Sequence, residues 1–153
     1  MNIRRAERGD IPAVLRLLEQ VNLIHAAARP DLFNIATKYD AAELDEIFKT
    51  ENTPVFVADD GAVLWYVFCI IKKTENSRLQ KNAKTLYIDD LCVDESARGK
   101  GIGGRLFEYV ESFGKSVGCD SITLNVWEQN TAARRFYDAC GMTPQKTTME
   151  KKI

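Results

Sequence analysis

Histidine is almost missing from this chain: His25 stands alone among 153 residues. A cysteine nucleophile would therefore find no nearby imidazole base in sequence, and no metal site is expected. Cysteine is sparse as well. Cys69, Cys92, Cys119 and Cys140 form no C-x-x-C pair, and three lie in apolar runs. They read as reduced core thiols of a cytoplasmic protein, not as a disulfide framework. Charge excess is missing too. A net charge of −1 supplies no global basic field for nucleic acid or an anionic membrane. Asn2 to Arg8 is too polar for a signal peptide, and no apolar run approaches a membrane span. No linker, repeat or low-complexity tract divides residues 1–153, so one soluble domain is expected, able to bury about two-thirds of its unfolded surface.

The most informative stretch begins with Leu86-Tyr87-Ile88-Asp89-Asp90-Leu91-Cys92-Val93, an apolar and aromatic run that reads as a buried strand. Asp94 to Ala97 is a polar link. Arg98-Gly99-Lys100-Gly101-Ile102-Gly103-Gly104 then opens into a helix with Ile102, Leu106, Val110, Phe113 and Val117 on one stripe. Four glycines in six residues would each cost roughly 1 kcal/mol inside a helix. As a loop before a helix they offer bare N–H groups to an anion, a phosphate above all. No nucleoside-triphosphate loop (G-x-x-x-x-G-K-[ST]) is present. Gly99-x-Gly101-x-x-Gly104 matches the dinucleotide fingerprint literally, yet too little chain follows to complete that sheet.

Arg98-x-x-Gly101-x-Gly103 resembles the acyl-CoA signature of the GNAT superfamily of N-acyltransferases. Asn130-Thr131-Ala132-Ala133-Arg134-Arg135-Phe136-Tyr137-Asp138-Ala139-Cys140-Gly141-Met142 is similar to a second motif of that family. The resemblance, clear from about Thr85 to Met142, implies an α/β (α+β) GNAT fold: a mixed central sheet whose central strands splay apart, flanked by helices. It implies acetyl-CoA as donor and a primary amine on a small molecule or peptide as acceptor. It also implies backbone contacts to the donor from Leu91, Cys92 and Val93, a phosphate cradle over Arg98, Gly99, Lys100, Gly101, Ile102, Gly103 and Gly104, and a steadying role for Asn130. The family often forms homodimers, which is the expectation here. A CoA-binding module without turnover remains the alternative, then a nicotinamide or flavin oxidoreductase.

The rest of the chain fits that order. Asn2 to Ala6 reads as a strand, and Asp10 as the N-cap of a helix whose stripe is Ile11, Val14, Leu15, Leu18, Val21 and Ile24. Arg29-Pro30 ends it, and Asp40 caps a second helix. Pro54 to Ala58 and Ala62 to Ile71 form a hairpin about Asp60-Gly61. Thr74 to Lys84 is a polar loop, Ser121 to Trp127 a strand, Asn130 to Gly141 a helix, and a last strand is expected within Gln145 to Lys152.

Transfer from a thioester to an amine requires removing a proton from the amine, stabilising the carbonyl oxygen, and releasing a thiolate. Asp89 is the candidate base because a carboxylate within an apolar strand is costly unless it works or is paired. Alternation sends Asp89 and Asp90 to opposite faces, leaving Asp90 a substrate contact or the alternative base. Tyr137 matches the family's general acid; a core tyrosine would look the same. His25 and Trp65 are the remaining candidate acceptor contacts.

Overall fold

The computed structural model describes all 153 residues. Its strands are β1 (Asn2–Arg5), β2 (Val55–Asp59), β3 (Val63–Thr74), β4 (Ala83–Val93) and β5 (Ser121–Leu124), side by side in that order. The first three neighbouring pairs run antiparallel, and β4 and β5 run parallel. A parallel pair needs a crossover, and α3 (Ile102–Ser116) provides it. The other helices are α1 (Ile11–Ala28), α2 (Ala41–Lys49) and α4 (Thr131–Ala139). The β2–β3 hairpin turns where expected: Gly61 takes φ +88° and donates its N–H to the Asp59 carboxylate at 2.9 Å.

Helices on both faces of the sheet make two cores. On one face Val14, Leu17 and Leu18 of α1 and Leu44 of α2 pack against Val55, Val57, Tyr66, Phe68 and Cys92. On the other, Leu106, Phe107 and Val110 of α3 pack against Phe56, Trp65, Val67, Leu86 and Ile88, with Phe136 and Tyr137 of α4 alongside. Double coverage is why β3 is apolar from Val63 to Ile71 instead of alternating. Asp40 caps α2 through the Glu43 N–H at 2.8 Å, with Glu43 reaching back to the Asp40 N–H at 2.8 Å.

Five sequence expectations need correction. Asp10 holds the N-cap position of α1, but its side chain makes no capping bond there. A 3-10 turn (Arg8–Asp10) precedes that helix, and the carboxylate instead accepts the Glu7 N–H at 2.8 Å and both Arg4 nitrogens at 2.7 and 2.9 Å. The α1 stripe includes Leu17, whereas Ile24 stands exposed beyond the sheet. β5 stops at Leu124, short of Trp127. No strand forms after α4. In that tail only Met149 and Ile153 are apolar beyond Pro144, both are exposed, and ion pairs from Glu150 to Arg29 (3.1 Å) and Lys152 to Asp31 (2.9 Å) tie it to the α1–α2 connection instead.

The fifth correction matters most. β3 and β4 pair Phe68 with Asp90 but Cys69 with Ile88, leaving Asp89 without a partner across the ladder. This β-bulge resets the alternation. Leu86 and Ile88 face α3, Asp90 pairs with Phe68 and Cys92 with Tyr66 on the α1–α2 face, and Asp89 bonds Tyr39 on that same face. Two consecutive carboxylates thus share one side of the sheet.

Candidate active site

β4 pairs with β5 from Thr85↔Ser121 to Ile88↔Leu124 and no further, although β4 runs on to Val93. The central strands therefore part at Asp89. Main-chain groups of Asp89 to Val93 that point toward β5 have no strand to meet, and such groups require partners. Cys92 faces away from this gap: its thiol approaches the Leu17 carbonyl at 3.6 Å, and burial pushes its pKa up to about 12. A thiol held protonated is no nucleophile.

The glycine-rich loop lies at the end of the gap. Asp94, nearly buried, starts a 3-10 turn (Glu95–Ala97) by accepting from the Ser96 N–H at 3.0 Å, and is held to α1 by Gln20 at 3.1 Å. Arg98 Nε donates to the Val93 carbonyl at 3.0 Å, fixing the loop to the strand end. Gly101, at φ +72°, is the N-cap of α3 and brings no capping side chain, so the first-turn N–H groups stay open to an anion. Lys100 and Arg105 are exposed nearby in sequence. Gly103 has a different reason to lack a side chain: a Cβ there would sit 3.0 Å from the Phe136 ring, so its smallness serves α3–α4 packing. A Cβ at Gly104 would meet nothing within 4 Å.

The acidic pair lies at the start of the gap. Asp89 Oδ2 accepts from Lys38 Nζ at 2.7 Å and from the Tyr39 hydroxyl at 3.1 Å. Tyr39 stacks on Phe68 at 5.5 Å, which anchors the end of the α1–α2 connection. Asp90 is deeper. Burial pushes its carboxyl up to about 6; repulsion from Asp89 adds to this, and the Lys38 charge opposes it. The fully buried Tyr66 hydroxyl lies beside it without a hydrogen bond of good geometry. A carboxyl titrating near neutrality can exchange a proton in either direction, the property a general base needs.

Tyr137 projects from α4, whose first turn is fixed by Asn130 accepting the Ala133 N–H at 3.1 Å. Phe136 packs edge-on against Tyr137 at 5.1 Å. Burial raises the Tyr137 pKa well above its usual value, and the nearby Asp90 charge adds to this, so the phenol keeps its proton at neutral pH. The structure thus brings Tyr137 and Asp90 within electrostatic reach.

An aromatic groove lies at the outer end, lined by Ile24, His25, Phe33, Trp127 and Asn130 among others. The His25 and Phe33 rings are 5.3 Å apart, Trp127 meets Phe33 edge-on at 5.6 Å, and Arg29 lies over Trp127 at 5.8 Å. Burial, then the Lys38 charge, lowers the His25 pKa. His25 therefore lies in this groove and within electrostatic reach of Lys38, the partner of Asp89. Trp65 does not: it is buried on the α3 face, paired with Val93 and Ala58 across the ladder, and touches neither the groove nor the pair. Sequence reasoning missed Lys38, Tyr39, Tyr66 and Trp127. Lys38-Tyr39 directly before the Asp40 cap was the one local signal available.

Known proteins can be set beside this geometry. Residues 18–142 match the model of the acetyltransferase (GNAT) family. A thialysine N-epsilon-acetyltransferase of Bos taurus is 28% identical over 149 residues, 91% of this chain and 82% of that protein. A glucosamine 6-phosphate N-acetyltransferase of Arabidopsis thaliana is 32% identical over 101 residues, 66% of this chain but only 60% of that enzyme's length. The crystal structure of a mutant Bacillus halodurans protein superposes with a TM-score of 0.96 at 35% identity, over 100% of this chain and 99% of that one.

Proposed function

The chain belongs to the acetyltransferase (GNAT) family, and from that membership we propose that it transfers an acetyl group from acetyl-CoA directly to a primary amine of a small molecule or peptide. The observation that carries the reading is the strand gap after Ile88↔Leu124, with Asp90 and Tyr137 in reach of each other beside it. The residues present suit the donor. An uncapped helix N-terminus with Arg98, Lys100 and Arg105 around it accepts a pyrophosphate, and the open edge of β4 accepts an amide-bearing arm as an added strand would. The donor supplies an activated thioester carbonyl.

The remaining chemistry falls to this chain. An alkylamine of pKa near 10.4 is about three units too protonated at neutral pH, a cost of about 4 kcal/mol. Asp89 and Asp90 together receive that proton, directly or through water. The pair acts as one base in which Asp90 does the titrating and Asp89, held by Lys38 and Tyr39, orients the ammonium. N–H groups among Leu91 to Val93 stabilise the carbonyl oxygen as it gains charge. Tyr137, protonated at neutral pH, supplies the proton the departing thiolate takes up. Asn130 acts through α4, by fixing its first turn.

The acceptor class follows from charge. Asp89, Asp90 and Glu43 all bear on Tyr39, and such a surface favours an alkylammonium over a phosphorylated sugar. The bovine relative's name, with its ε-amine, agrees with the first class; the Arabidopsis relative's agrees with the second. Thiol release from acetyl-CoA, with the product mass measured against alkyl diamines, ω-amino acids, a lysine peptide and glucosamine 6-phosphate, tests the reading. Acetylated alkylamine formed mole for mole with free thiol is expected. Saturable donor binding with no acetylated product would make the protein a CoA-binding module instead.

A further inference from the structure

Lys38 is the one amine of this chain in contact with the acidic pair. Its Nζ lies 2.7 Å from Asp89 Oδ2 and 3.4 Å from the Asp89 main-chain oxygen. Asp89 is the first β4 residue beyond the last β4–β5 pair, so this amine stands at the mouth of the strand gap. The Lys38 side chain is 40% exposed and the Asp89 side chain 18%: the lysine reaches in from solvent and is held at its tip. An external acceptor would present the same group, a primary alkylammonium, to the same carboxylates.

We propose that Lys38 is itself an acceptor, and that with acetyl-CoA bound and no free amine present the enzyme acetylates its own Lys38 Nζ. The inference rests on the donor and base assigned above. The Lys38 ammonium gives one proton to the carboxylates and from them to water. Nζ then forms a C–N bond to the acetyl carbon and gives its second proton to water while the C–S bond breaks. The thiolate leaves as CoA thiol with the Tyr137 proton, which solvent replaces. In sum, one thioester and one lysine ammonium become acetyl-lysine, a thiol and a proton. The modified side chain is neutral and its ion pair with Asp89 is gone, which leaves that carboxylate free to receive an external ammonium.

Simple chemistry predicts the opposite order of reactivity, which makes the test sharp. An ammonium held by a carboxylate is a poorer nucleophile toward free acetyl-CoA than an exposed one such as Lys73 or Lys81. The full chain is incubated with acetyl-CoA and no acceptor, and acetylation at Lys38, Lys73 and Lys81 is followed by peptide mass spectrometry. Lys38 should react at least tenfold faster than Lys81, at a rate unchanged across a tenfold range of protein concentration. Tyr137→Phe should slow Lys38 at least tenfold and leave Lys81 as it was. Lys38→Arg, which keeps a cation beside Asp89, should reduce acceptor-free thiol release to background. Lys38 reacting no faster than Lys81, insensitivity to Tyr137→Phe, or a rate proportional to protein concentration would each overturn the proposal. A parallel arm with 1,3-diaminopropane separates the two readings: acetylated diamine in that arm, with Lys38 spared in the acceptor-free arm, defeats this inference alone, and no acetylation of either defeats the proposed function as well.

Discussion

The two sides of the strand gap are built in contrasting ways. The donor side is local: strand end, 3-10 turn, glycine loop and first turn of α3 follow one another from Leu91 to Arg105 with no intervening element. The acceptor side is assembled from afar. Asp89 meets Lys38 and Tyr39 across about fifty residues of sequence, and Trp127 meets Phe33 across almost a hundred. A site made of consecutive residues leaves a motif; one made of long-range contacts does not. Donor chemistry is accordingly readable in the chain, and acceptor identity depends on side chains that only the fold brings together.

Substitutions sharpen that contrast, the largest expected effect first. Tyr137→Phe removes one hydroxyl from a helix face already packed by Phe136, so the fold should survive. Steady-state kinetics should show kcat down by roughly two to four orders, with KM for acetyl-CoA within a few-fold. Near-normal kcat with lowered stability would make it a packing residue.

Asp90→Asn should cost roughly two orders in kcat/KM at neutral pH and change its pH dependence. In the wild type the carboxyl titrates near 6, so kcat/KM should rise through that pH as the base loses its proton; the variant should lack this limb. Asp89→Asn should instead keep the limb and raise KM for cationic acceptors. If only Asp89→Asn removed the limb, the roles within the pair would be reversed. Stability gives an independent check. Because the folded-state pKa of Asp90 lies above its unfolded value, the native state binds more protons, and the Asp90 contribution falls as pH rises from about 4 to about 6. Melting temperatures of wild type and Asp90→Asn should therefore diverge in the variant's favour over that window.

On the donor side, Gly104→Asp adds a carboxylate where a Cβ meets nothing. An acid in the first helical turn is favourable for α3 itself, yet it competes with a pyrophosphate for the same N–H groups. Calorimetry should show acetyl-CoA binding weakened about ten- to a hundredfold with the melting temperature kept. Unchanged affinity would remove the loop from the donor site. The smallest effect on turnover belongs to Asp10→Asn, remote from both sides. Losing its bidentate contact with Arg4 should cost about 2 kcal/mol of stability and leave kcat/KM unaltered well below the melting temperature.

How much of this was legible follows from the same contrast. The β2–β3 hairpin, the Asp40 cap and the glycine loop before α3 were readable because each depends on neighbours in sequence. Asp10 was misread because its carboxylate is taken by Arg4 on β1, a tertiary contact that outcompetes the local cap. The facing of Asp89 was misread because a bulge is a property of two strands, and nothing in β4 alone reveals the skipped partner on β3. Gly103 was assigned to phosphate, although its constraint is the Phe136 ring thirty-three residues on. Trp65 was placed with the acceptor because the side of the sheet it faces depends on register, which the sequence pattern of a doubly covered strand does not encode.

A donor bound as proposed lies along the open edge of β4 with its phosphates at the start of α3. Amide chemical-shift mapping on the nitrogen-15-labelled protein titrated with acetyl-CoA tests it most directly. The largest changes are expected at the N–H groups of Leu91, Cys92 and Val93 and of Gly101 to Gly104, with Tyr39 to Ile47 of the α2 region little moved. Saturable binding whose largest shifts fell in the α2 region, with Leu91 to Val93 unmoved, would contradict it.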